Sequence, residues 1–111
     1  MRSYCIEELE PDDVLTFKTH LGRQGYTGPI DDIYWLMVPA RLLTSEQQQH
    51  APDCGDYFFS IETGDTWIKL ELLVRCRDRI RCQCIKYATP EQRAYAIDIL
   101  DELLRNRDIP V

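Results

Sequence analysis

Apolar and polar positions change period several times along the chain, and each change marks an element. Tyr4 and Ile6 alternate with Cys5 and Glu7, a short strand pattern that also suits a loose arm. Pro11 then fits the first position of a helix, with Asp12 and Asp13 in the electropositive first turn. Val14, Phe17 and Leu21, with Leu15 beside them, make one apolar stripe, and Gly22 or Gly25 ends it. The segment from Gly25 to Pro29 reads as a loop. From Ile33 to Leu43 the chain is apolar on both faces, so it needs cover on both sides, and Pro39 places an edge or a bulge within it.

Thr44-Ser45-Glu46-Gln47 has the form of a capping box and predicts a short helix to about His50, with residues 51–56 as a connection. Tyr57–Glu62 and Thr66–Arg77 read as a hairpin turning at Thr63-Gly64. A two-residue turn there sets Phe59 and Ile61 on the face of Ile68, Leu70 and Leu72. A second hairpin around Asp78 returns through Ile80–Ala88. Thr89-Pro90-Glu91-Gln92 is the clearest helix start, and Ala96, Ile97, Leu100, Leu103 and Leu104 carry the stripe to about Asn106. This order predicts a single α+β domain. Its sheet is mostly antiparallel, with four or five strands and a β-meander over 57–88. An N-terminal and a C-terminal helix pack on one face.

At 111 residues the chain is the size of one domain, spanning 1–111. No apolar run reaches the roughly 18 residues that cross a bilayer, so no membrane role is expected. The early acidic residues Glu7 and Glu8 break the apolar stretch that a signal peptide needs, which favours the cytoplasm. The formal net charge is −6, and residues 1–74 hold thirteen acidic against five basic side chains. Such a body repels polyanions and disfavours nucleic acid as a partner.

The exception is the run Arg75-Cys76-Arg77-Asp78-Arg79-Ile80-Arg81. Arg75, Arg77, Arg79 and Arg81 alternate along a hairpin tip, where guanidinium groups either clamp carboxylate or phosphate or simply solvate an edge. The face opposite the core carries Phe58, Trp67, Leu73, Ile85 and Tyr87, interleaved with charge. Phe58, Trp67 and Tyr87 there, or the Ile33–Leu43 strand, offer a homodimer interface, unless the 44–56 connection covers the face.

Five cysteines, an odd number, suit free thiols in a reducing compartment better than a disulfide framework. In the predicted hairpin Cys76 shares a face with Ile68, Leu70, Leu72 and Val74, and Cys82 and Cys84 share the facing side with Ile80. Core packing is the preferred reading of Cys76, Cys82 and Cys84. A thiolate metal or redox site is the alternative, although neither Cys5, Cys54 nor His50 stands at a recognised spacing from them. His50 and Cys54 in one loop suggest a base and a nucleophile, but no orienting third group is visible. The pairs Asp12-Asp13 and Asp31-Asp32 each sit at an expected element start, where capping of free backbone N–H groups is preferred over a catalytic acid. No coherent catalytic set and no cofactor are predicted. The sequence thus favours a self-associating interaction module whose arginine hairpin engages an acidic protein or anionic ligand, with a thiol-based metal or redox protein as the alternative.

Overall fold

The computed structural model, which describes residues 2–109, forms an element at most of the changes of period in the sequence and redraws the bounds of several. The order is β1 (Ser3–Ile6), α1 (Pro11–Arg23), β2 (Ile33–Met37), a 3₁₀ turn (Ala40–Leu42), α2 (Ser45–Cys54), β3 (Tyr57–Thr63), β4 (Ile68–Glu71), β5 (Leu73–Cys76), β6 (Lys86–Tyr87) and α3 (Pro90–Arg105). The domain is α+β, and all pairings in its six-stranded sheet are antiparallel.

Strand β3 organises that sheet. One edge pairs with β2, and the other pairs with β4 over Ile61–Thr63 and with β5 at Tyr57 and Phe58. The far sides of β4 and β5 take β1 and β6. The predicted strand Thr66–Arg77 is therefore two strands. Ile61 faces Leu70 while Phe58 faces Arg75, so four residues, 71–74, stand against only Phe59 and Ser60. At this bulge Leu72 turns its backbone outward, donating to the Arg2 carbonyl (3.1 Å) and accepting from Ala88 N–H (2.8 Å). An insertion of two leaves side-chain alternation intact. Ile68, Leu70, Leu72, Val74 and Cys76 consequently all stay buried.

The turn before β4 has four residues, 64–67, in place of two, closed by Gly64 N–H to the Trp67 carbonyl (2.9 Å). Glycine lets the indole pack on this turn, since a Cβ at position 64 would lie 2.2 Å from the Trp67 ring and would displace it. As expected, Phe59 and Ile61 share the buried face with Ile68, Leu70 and Leu72. They join Val14, Phe17 and Leu21 of α1 and Ala96, Leu100 and Leu104 of α3 in one core.

Three other expectations are corrected. The run Ile33–Leu43 is a strand only to Met37, where Pro39 ends the ladder and a 3₁₀ turn follows. Its two apolar faces differ: Leu36 enters the core, whereas on the outer face Trp35 stacks on Phe58 with ring centroids 3.9 Å apart and Met37 stays 41% exposed. Residues 51–54 continue α2, with Pro52 inside its last turn. A proline that late disturbs one turn only, and Cys54 anchors the end in the core. Finally, the return strand Ile80–Ala88 shrinks to Lys86–Tyr87. The backbone of 77–85 finds partners elsewhere: Arg77 N–H bonds the Asp56 carbonyl, Asp78 N–H the Cys54 carbonyl (2.9 Å each), and Ile85 N–H the Cys82 carbonyl (3.1 Å). Ile80 is 86% exposed, not a core residue.

Both predicted capping boxes form, at Thr44/Gln47 and Thr89/Gln92, and their glutamines meet in the interior. Gln92 Nε2 donates to Gln47 Oε1 (2.9 Å) and to the Leu42 carbonyl (2.8 Å). Gln47 Nε2 in turn reaches the Cys84 carbonyl at 3.4 Å. Two local start signals thus become one tertiary link between the helix beginnings and the 77–85 segment. Replacing Gln92 by Ala removes half of one box and leaves the Thr89 N–H and the Leu42 carbonyl without their partner, so it should destabilise the fold by about 2–3 kcal/mol. Urea unfolding measures this, and a change within about 0.5 kcal/mol, as at an ordinary surface site, would contradict the link.

Candidate metal centre

Helix α2 supplies the first two groups. His50 and Cys54 stand four residues apart, the spacing that puts two side chains on one helical face. Gly55, at φ +78°, stops the helix immediately after Cys54. A Cβ at Gly55 would also lie 2.6 Å from the Asp78 carboxylate, so the glycine lets the 77–85 segment close against the helix end. The Arg77 guanidinium reinforces that closure at Asp56 (3.1 Å), and Lys86 bonds Glu46 in the first turn of α2 (2.8 Å).

The closed segment brings Cys82 and Cys84 to α2. The donor atoms of His50, Cys54, Cys82 and Cys84 all lie within 4.8 Å of one another. His50 Nδ1 is 3.1 Å from Cys82 Sγ, and Cys54 Sγ is 3.7 Å from the sulfurs of both Cys82 and Cys84. Cys54 and Cys84 are buried, whereas Cys82 and His50 are half-buried. Zinc held at about 2.3 Å from sulfur and 2.0–2.1 Å from nitrogen needs tetrahedron edges of about 3.8 Å between sulfurs and about 3.5 Å between nitrogen and sulfur. The two spacings from Cys54 to Cys82 and Cys84 match the sulfur edge, and the His50–Cys82 spacing is a few tenths of an ångström shorter than the nitrogen–sulfur edge.

Surroundings separate the three thiols. The Cys84 backbone N–H and thiol, followed by Cys54 and the His50 ring, stabilise the Cys82 thiolate and bring its pKa down to about 6. Burial pushes Cys54 up, and it pushes Cys84 up to about 11. Beside Cys84 lies the Tyr57 hydroxyl, the one buried side-chain oxygen or nitrogen among the described residues without a hydrogen-bond partner. A neutral thiol is a poor acceptor, but a metal-bound thiolate gives that hydroxyl a strong one. The orphaned donor fits a charged sulfur at this position.

Of the three sequence-derived thiols, Cys82 and Cys84 enter the cluster, and Cys76 stays outside it. Cys76 is buried on β5 and donates to the Arg79 carbonyl at 3.5 Å. His50 and Cys54 take its place. His50 is paired with Cys82, not with Cys54, and Cys5 is exposed on β1. The signal for this set was present as His-x-x-x-Cys and Cys-x-Cys. Ending α2 at His50 hid it, because Cys54 then appeared to lie in a loop.

The arginines lie on the neighbouring surface. Arg75 is bonded to Glu71 (2.7 Å) and Arg77 to Asp56 and Asp78, while Arg79 and Arg81 make no ion pair among the described residues. Arg75, Arg77 and Arg79 line a half-open groove of about 300 Å³ with Trp35 and Phe58, whereas Arg81 is exposed outside it. Phe58 itself is buried beneath Trp35. Trp67 stands at the other end of the sheet near Lys69, and Tyr87 lies under Arg2 on β6. The ion pairs Lys69–Glu62 and Arg75–Glu71 lie on the sheet between these aromatics. No protein-family model, curated protein or solved structure matches the chain.

In chelator-treated protein Cys82 should alkylate with a rate that rises with pH, half-maximal near 6, because the reactive thiolate forms above that value. Buried Cys54 and Cys84 should resist labelling until the protein unfolds. Mass spectrometry across pH reads both, and a Cys82 midpoint near the ordinary cysteine value of about 8.5 would contradict the described environment.

Proposed function

We propose that this chain is a zinc-binding protein in which His50, Cys54, Cys82 and Cys84 form a structural Cys₃His centre. The observation that carries the reading is the convergence of these four donors from two separate segments. Three sulfurs and one imidazole suit zinc among the common divalent ions, and four protein ligands leave no position open for a substrate. The metal's work is then mechanical and electrostatic. It fixes residues 77–85 on α2 and holds the charge of the buried thiolates, so that the arginines and Ile80 stand in a defined surface. A non-enzymatic binding module, kept in shape by zinc, unites the thiol and arginine features of the sequence.

Protein purified without an affinity tag should contain one zinc per chain, read by elemental analysis. Cys54→Ser and His50→Ala should lose it, whereas Cys5→Ser and Cys76→Ser should retain it. At free zinc about a thousandfold above Kd the metal adds about 4 kcal/mol of stability, so chelation should lower the melting temperature by upward of about 10 °C. Substoichiometric metal together with a melting temperature that added zinc leaves unchanged would refute the proposal.

A further inference from the structure

The groove beside the metal centre is chemically a different site. Its floor is flat and apolar, made by the Trp35 ring stacked on Phe58 at 3.9 Å and 15°. Ile30 and Ile80 form its lips. They are 62% and 86% exposed, more than any other large apolar side chain among the described residues. Exposed isoleucines cost little singly, but two lining one groove with an aromatic floor make a surface that gains by being covered.

Charge decides what covers it. Arg77 and Arg79 line the same groove. Arg77 already shares its charge with Asp56 and Asp78, whereas Arg79 has no carboxylate partner among the described residues. An unpaired guanidinium at the edge of an apolar, aromatic floor calls for a ligand with an anionic head and an apolar body. The volume, about 300 Å³, lies at the small end of ligand pockets (roughly 300–1,000 Å³) and suits a molecule of one or two rings.

We infer that this groove binds a small amphipathic organic anion, its apolar body on Trp35 and between Ile30 and Ile80, its carboxylate, sulfonate or phosphate on Arg79. Guanidinium is suited to this double task, because it bonds oxyanions through its edge and packs against apolar and aromatic groups through its face. The inference rests on the same placement of residues 77–85 as the metal reading, but the two fail separately: zinc could bind with the groove empty, and the groove could bind its ligand with no zinc on the four donors.

The test compares two probes of one body and opposite charge, 2-naphthoate and 2-naphthylmethylammonium, by ¹H–¹⁵N NMR titration of the protein as purified. Naphthoate should shift the Trp35 indole and the Arg79 and Ile80 amides, and it should bind at least tenfold more tightly than the cation. Arg79→Ser should weaken naphthoate toward the affinity of the cation while binding the cation no more weakly than before, since it removes a repulsion. Ile80→Ser should weaken both probes. Arg79 and Ile80 are exposed, so neither change threatens the fold, and the unchanged remainder of the spectrum checks this. Equal affinity for the two probes, or shifts that cluster away from Trp35, would overturn the inference. So would saturable binding of the acidic peptide Asp-Glu-Phe-Glu-Asp at these residues with no response to naphthoate, which would make the groove a protein-docking surface.

Discussion

Residues 77–85 have no ladder of their own, and almost everything distinctive about this molecule depends on what holds them. A segment that leaves a sheet must bond its backbone elsewhere or to water. Here the Arg77 and Asp78 amides find carbonyls at the end of α2, and the Cys84 carbonyl receives the Gln47 side chain. These bonds draw two thiols against a third thiol and an imidazole. The groove wall, with Arg77, Arg79 and Ile80, belongs to the same segment. Its geometry is therefore set by the contacts that assemble the thiol cluster.

The supports of that segment are ordered in a hierarchy. Gln47 and Gln92 start their own helices, meet each other in the core, and extend the link to Cys84. Salt bridges at the surface, Lys86–Glu46 and Arg77–Asp56, add orientation more than energy, since exposed pairs contribute about 0–1 kcal/mol. Three thiols packed beside a phenol with no acceptor are a poor substitute for aliphatic core. Around a divalent cation two of the three thiolate charges are neutralised and the Tyr57 hydroxyl gains a charged sulfur to donate to, and this asymmetry favours the metal reading over plain packing of cysteine.

What could be read from the sequence was whatever is local. Thr44, Thr89 and their glutamines announce helix starts three residues away, and both boxes are formed. The alternation through Ile68–Cys76 correctly marked a buried face, yet it could not reveal the bulge at 71–74. An even insertion leaves the pattern unchanged, so alternation is blind to it. The same blindness made Ile80, Cys82 and Cys84 look like a strand, since period two says nothing about whether a partner strand is in reach. Pro52 misled in the opposite direction. It ended α2 on paper at His50 and separated the two residues whose helical spacing is half of the candidate site. The other half, Cys82 and Cys84, was noticed but grouped with Cys76, whose thiol neighbours Cys54 and Cys84 yet lies outside the four-donor set and donates to the Arg79 carbonyl.

The account stands or falls on the ligand set, and the zinc K-edge X-ray absorption of the protein as purified reads that set directly. Three sulfurs at about 2.3 Å and one nitrogen at about 2.0–2.1 Å, with one sulfur fewer in Cys84→Ser protein saturated with added zinc, is the result this account predicts. A shell of nitrogen and oxygen alone, or a sulfur count unchanged by Cys84→Ser, would contradict it.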